Sequence, residues 1–426
     1  MKLITTTALA LVVALSSAPA VGQAYGYGSS QQQAQQERER MQSGNQQNAA
    51  QPQTVVRPSA KAMKAIVDLQ NTVKKSDFAS LPEKVAAAQA VATTKEDRYL
   101  IARLQLDAAI AEKDNAAMAA SIDAIAASGY LDSGKASSLY QSLGGTFLNE
   151  KQYPRAVAAY QKAIALNPAN SEAQGLLGEA YFAGGQKAEA AAAFQRAVEA
   201  RVAAGQKPDE PLIKRAVAVA YEAKSPAAVD LARQWVAAYP STASWSDAIA
   251  IYQNLNRPDV EGMVDLLRLM HATGSIRSGG AYAQYARAAA DQNNFNEAQV
   301  ALDAGVAAKL IDPAKPEYQD LVQGLKTKPK ATAADLAEAT KTAQSGMALL
   351  RIGDRYYAMG DYARAVELYR MAMGKPGVDA AVANLHIGMA LARAGDKAGA
   401  TAALNAVSGP RAEIAKFWLT YLSLKA

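Results

Sequence analysis

The chain of 426 residues contains no cysteine at all. That excludes a disulfide framework, and it removes thiolate ligands and thiol nucleophiles from consideration. A lipid anchor of the bacterial lipoprotein type, which needs an N-terminal cysteine, is excluded by the same absence. Histidine is nearly missing too: His271 and His386 stand far apart with no H-x-x-x-H spacing, so no zinc site is expected. No G-x-S-x-G elbow occurs. Strand-like alternation is absent, which turns the reading away from sheets. The longest apolar run, Leu3 to Leu15, falls short of the roughly 20 residues that span a bilayer. Charge of one sign is not concentrated anywhere. Lys and Arg total 45 against 39 Asp and Glu, a net +6 spread along the chain without a basic block, so nucleic acid is not an expected partner. Carboxylates such as Glu189 and Glu199 fall on expected solvated helix faces, and no paired acid and base stands out. No cofactor and no catalytic residue is expected.

One stretch comes near an enzyme motif. Gly129 to Lys135 has the G-x4-G-K spacing of a phosphate loop, but Ala136 stands where magnesium binding needs Ser or Thr. The residues before it, Ser121 to Ser128, read as an Ala-rich helix rather than a buried strand. A similar turn recurs 180 residues later, where Asp303–Asp312 echoes Asp123–Asp132 without the glycines. Helix-ending turn is therefore the reading.

The first residues form a short positive start, an apolar stretch and then small residues, with Ala18-Pro19-Ala20 fitting a signal-peptidase pattern. We expect residues 1–22 to be a signal peptide cleaved between 20 and 24. The signal resembles Gram-negative ones, so the expected location is the periplasm. Residues 23–58, rich in Gln, Gly, Asn and Ser, hold too few large aliphatics to offset the entropy of ordering. They are expected to form a disordered tether.

What the chain does have is a recurring spacing. Leu143-Gly144, Phe147, Ala156, Tyr160 and Ala163 return 34 residues later as Leu177-Gly178, Tyr181, Ala190, Phe194 and Ala197. A third copy reads Ile352-Gly353, Tyr356, Ala365, Tyr369 and Ala372, and a fourth Ile387-Gly388, Leu391, Ala400, Leu404 and Val407. Fixed self-similarity at this period means helix pairs that each bury an apolar face against their neighbours. Small residues belong where paired axes approach closely, and the aromatic three positions on fills the gap one turn along. Gly184-Gly185, Gly360-Asp361 and Gly395-Asp396 supply the turns between paired helices.

These residues closely resemble the tetratricopeptide repeat, most completely over 143–168. The resemblance implies an all-α, right-handed superhelical solenoid of antiparallel helix pairs. Weaker units are expected at 211–240 and around Ala286 to Gly305, while 245–272 is helical but departs from the pattern. Capping boxes at Ser80–Glu83 and Thr93–Glu96 open earlier helices. The helical array thus runs over 60–312. Residues 313–333, with Pro313, Pro316 and Pro329, form an irregular connector carrying an apolar stripe. A C-terminal repeat pair and closing helix (Ile414, Phe417, Trp418, Tyr421, Leu422) fill 334–426.

Arrays of this family present a concave surface of first helices to a partner peptide or helix. The lysine and asparagine clamp that some members use for a C-terminal carboxylate is absent, since Gln141, Gly145, Gly175 and Glu179 occupy its positions. On the last two units the same face offers Met347, Leu350, Asp354, Tyr357, Leu385, Met389 and Arg393. Met and Tyr suit adaptable apolar recognition. These seven residues are the candidate partner groove, with Tyr357 and Met389 expected to be exposed. The competing reading packs them against another segment or copy of the chain. The expected function is a non-catalytic envelope scaffold for a protein partner. The alternatives are an envelope enzyme or glycan-processing factor with converging polar groups in 245–345, and a purely structural, self-associating role.

Overall fold

The computed structural model describes residues 56–425. Among them are 21 α-helices and no strand. The expected signal peptide, and the tether up to residue 55, lie outside the described residues. Of the last three tether residues, Val56 and Pro58 are buried, so the packed core starts earlier than expected.

Two compact units divide the chain at Arg215 and Ala216. The first holds α1 (Met63–Lys74), α2 (Leu81–Val91), α3 (Lys95–Glu112), α4 (Asn115–Ala127), α5 (Ser133–Asn149), α6 (Tyr153–Leu166), α7 (Ser171–Ala183) and α8 (Lys187–Ala203). Helix α9 (Glu210–Glu222) contains the boundary. The second unit holds α10 (Ala227–Ala238), α11 (Thr242–Asn256), α12 (Val260–Thr273), α13 (Gly279–Asp291), α14 (Phe295–Ala307), α15 (Pro316–Lys326) and α16 (Ala333–Thr342). It ends with α17 (Gly346–Ala358), α18 (Tyr362–Met373), α19 (Ala380–Ala394), α20 (Lys397–Asn405) and α21 (Ala412–Leu424).

The repeat spacing does what its small residues require. A Cβ on Gly144 would stand 2.6 Å from the Tyr160 ring, and one on Gly178 would stand 2.8 Å from Phe194. Gly353 faces Tyr369 and Gly388 faces Leu404 at 2.5 Å in the same way. The four pairs α5–α6, α7–α8, α17–α18 and α19–α20 are therefore built on one contact, a helix backbone lying against a bulky side chain.

Other expectations shift. The capping box opening α3 forms one residue later, between Thr94 and Asp97. Asp97 is fully buried and also accepts from the backbone N–H (2.7 Å) and hydroxyl (2.8 Å) of Ser59. Burial pushes its carboxyl up, but the N–H groups of Thr93 and Ser59 outweigh that and bring it to about 2. The Ser80 box does not form. Ser80 sits in a helical backbone conformation, not the extended one from which an N-cap side chain reaches the N–H of Glu83. The segment expected as an irregular connector contains a helix, α15, which turns Leu321 and Leu325 inward as its apolar stripe requires. Asn296 ties the following irregular stretch down, bonding the carbonyl (2.9 Å) and N–H (3.0 Å) of Ala331. The Gly129–Lys135 stretch is a turn from α4 into α5, with Asp132 capping the N–H of Lys135 at 2.9 Å.

The second unit is organised around α12. Gly262, Val264 and every residue from Asp265 to Met270 are buried, so this helix is enclosed on all sides rather than amphipathic. Helix α21 covers α19 and α20 as expected, and also reaches back to α10 and α12. Its Phe417 ring lies 6.5 Å from Trp245 and 6.0 Å from Tyr252 of α11. Arg411, just before α21, bonds Asp259 at 2.7 Å and Glu261 at 3.5 Å, at the N-terminus of α12.

Candidate functional site

The seven groove residues do not form an open groove. Leu350, Tyr357, Leu385 and Met389 are buried, Tyr357 being 8% and Met389 0% exposed. Only Met347 is clearly open, at 41%. Arg393 is half-buried and reaches the Tyr362 hydroxyl at 3.2 Å. The expected exposure of Tyr357 and Met389 is thus corrected, and for Tyr357 the cause is α12. Its Asp265 lies 3.2 Å from Nε2 of His386, and its Arg268 lies 3.3 Å from Asp354 and 5.2 Å over the Tyr357 ring. A helix of the chain itself occupies the face that the repeats would offer to a partner.

That contact carries a buried ionic network. Arg268 donates from Nε and one terminal nitrogen to the two oxygens of Glu297, both at 2.7 Å, and from the other nitrogen to Asp265 at 3.2 Å. Tyr285 (2.7 Å) and Asn294 (2.7 Å) also donate to Glu297. Asp354 accepts from Tyr369 at 2.9 Å and lies 3.1 Å from Nδ1 of His386. The imidazole is thus at ion-pair distance from two carboxylates, although neither N–H points squarely at its acceptor. Burial disfavours charge on His386, but Asp354 and then Asp265 overcome it and push the imidazole up to about 10. Burial raises Asp354, but Arg268 and then His386 pull it down to about 2. For Arg268, burial is again outweighed, by Glu297 and Asp354, and its pKa rises.

Sequence reasoning missed Asp265, Arg268, Glu297 and His386. A signal existed. Asp265 and Arg268 are charges three residues apart inside the apolar run from Val264 to Met270, where an isolated surface helix would carry a polar face. Among the described residues no set of three His, Asp or Glu side chains is arranged to hold a metal ion.

One cleft of about 420 Å³ opens above this network, within the second unit. Its lining includes Asp354 and His386 of the network, Asp259 and Arg411, and Met347 and Arg351 of α17. The loop from Asp291 to Asn294, between α13 and α14, completes the wall. The cleft mixes charged and polar side chains with apolar ones such as Leu350 and Val382, unlike the apolar groove expected from sequence.

Two segments, 143–211 and 350–413, match the tetratricopeptide repeat family model, and they include the glycine-to-ring contacts measured above. These two segments are tetratricopeptide repeats. No curated protein matches it significantly. Among solved structures, this repeat protein is similar to a tetratricopeptide repeat protein from Parabacteroides merdae at 11% identity, over 78% of this chain and all of the other, with a TM-score of 0.25. It is also similar to a chain in the structure of Naa15/Naa10 bound to HypK-THB, at 13% identity over 90% of this chain and 61% of that one, with a TM-score of 0.30. A third similarity is to the P58(IPK) tetratricopeptide repeat domain, at 13% identity over 80% and 99% of the two chains, with a TM-score of 0.20. Proteins of this repeat family are generally non-catalytic scaffolds that bind other proteins. Among the described residues of this repeat protein, no helix is long and apolar enough to cross a membrane.

Proposed function

We propose that the protein is an exported, non-catalytic scaffold of the cell envelope that holds a segment of a partner protein in the cleft of its second unit. The observation that carries this reading is the cleft itself. It is a concave site on the repeat face, with an exposed methionine at its mouth and polar groups in its walls. Export is supported by the pattern of residues 1–20.

The enzyme alternative required converging polar groups in 245–345, and Asp265, Arg268 and Glu297 do converge there. Their setting favours a structural role. A proton-transfer group works best with a pKa near the working pH. Of the two network members facing the cleft, Asp354 is held at about 2 and His386 at about 10.

The test is site-specific photo-crosslinking in intact cells, with the crosslinker at Met347 in the cleft or at the exposed Ile110 of the first unit. Protein adducts from position 347 and none from 110 are expected. Adducts from 110 alone would move the site to the first unit. Fractionation should place a shortened chain in the periplasm, and full-length protein in the cytosol would overturn the export reading.

A further inference from the structure

Most charges around the cleft have a partner. Arg411 holds Asp259 and Glu261. Asp354 is surrounded by Arg268, His386 and Tyr369. Asp379 caps α19 through the N–H of Ala381 at 2.8 Å. Two cations of α17 stand outside these pairings. Arg351 is exposed with no ion pair or hydrogen bond among the described residues, and Arg355 donates only to the Asn293 carbonyl, at 3.3 Å. Against them stand two carboxylates of the cleft wall without a cation, Asp291 and Asp379.

The two arginines are four residues apart, so they lie one turn apart on one helix face, with Met347 a further turn below. Like charges at this spacing repel and cost the isolated helix a few tenths of a kcal/mol. A ligand carboxylate between them would reverse that cost, because each guanidinium presents a planar fork of donors suited to carboxylate oxygens. Gln292, also of the wall, has a buried Nε2 with no acceptor. The open groups of the cleft thus include two cations and an amide donor beside two carboxylates.

We infer that the partner segment bound in this cleft carries acidic side chains, taken by Arg351 and Arg355. This rests on the reading that the cleft holds a partner segment. The ligand is an internal Asp or Glu of an extended chain. The net charge of +6 favours encounter with such a partner at low salt.

The experiment uses the mature chain and short fluorescein-labelled peptides read by anisotropy. One peptide is Glu-rich, one has Gln at every Glu and one has Lys there, each with an amidated C-terminus. The Glu peptide should bind about tenfold tighter than the Gln peptide, as two charge-assisted contacts would give, and should weaken as salt rises. Arg351→Ala/Arg355→Ala should bring it down to the Gln level without moving the melting temperature. The Lys-for-Arg double variant should keep part of the preference. If the Gln or Lys peptide binds as tightly, the inference fails while the cleft reading stands. Full binding of the Glu peptide by the double alanine variant would place the anion elsewhere and overturn it. Dependence on a free C-terminal carboxylate would overturn the side-chain assignment. If no peptide binds and none crosslinks from position 347, the inference falls together with the reading beneath it.

Discussion

Replacing Arg268 with methionine tests the organisation of the second unit most directly. Methionine fills much of the arginine stem but leaves Glu297, Asp265 and Asp354 facing one remaining cation, His386. The two 2.7 Å bonds to Glu297 and the contacts at 3.2 and 3.3 Å are lost together. Breaking a buried ion pair by removing one partner costs about 3–5 kcal/mol, because the orphaned charge stays buried. For a unit of this size each kcal/mol shifts the midpoint by about 2–4 °C, so a loss of roughly 6–20 °C is expected. The assay is convenient, since all three tryptophans, Trp235, Trp245 and Trp418, belong to the second unit. Their fluorescence follows its melting without interference from the first. Arg268→Lys should fall between, because one ammonium cannot span both oxygens of Glu297. Arg268→Met/Glu297→Leu should be more stable than the single variant, since one uncompensated carboxylate is gone. A single-variant shift under about 2 °C, or a double variant no better than the single, would refute the argument that the network carries buried charge.

Stability of the second unit should also depend on pH through His386. Its folded pKa of about 10 lies above the ordinary 6.5, so its contribution is complete below about 6.5 and is lost as pH rises through about 10. Urea midpoints between pH 7 and 10 should therefore fall in the wild type and flatten in His386→Gln; parallel slopes would refute it. Gly178→Ala should cost about 1–3 kcal/mol in thermal melts, because the added methyl meets the fully buried Phe194 ring. Gly324→Ala, a helical glycine with open space around it, should be neutral or slightly stabilising. Met389→Ala should lose about 2–5 kcal/mol of folding stability, as an enclosed core residue does, with the melting temperature as the readout.

The helix pairs were legible because a 34-residue spacing repeats one local contact, glycine against ring, which needs no knowledge of distant chain. Gly144 with Tyr160 and Gly353 with Tyr369 could be paired from sequence alone. The burial of Tyr357 and Met389 could not. That of Tyr357 depends on α12, about a hundred residues earlier, whose departure from the repeat pattern was visible but whose destination was not. The same limit hid the ion network. Asp354 was read as a groove residue, yet the arginine that fixes it comes from a helix that periodicity could not place. The cleft followed suit, since its walls bring Asp259 and Arg411 together from positions 152 apart. The helix in 316–326 was missed for a different reason. Prolines at its margins suggested irregular chain, but Pro316 sits at the first helical position, where its fixed φ helps rather than hinders.

The return of α21 to α10 and α12 changes how this unit can fold and vary. An open repeat array grows from any nucleus by neighbour contacts, and units can be gained or lost at its end. Here the final helix must find partners laid down near the start of the unit, and closing so long a loop is entropically costly before any contact rewards it. High contact order of this kind slows folding. The second unit should therefore assemble in one late, cooperative step, with the cover of α12 incomplete until the chain beyond Arg411 has docked. Inserting or deleting a single repeat between α13 and α20 would break the closure, so the number of helix pairs in this unit is fixed by its own last helix.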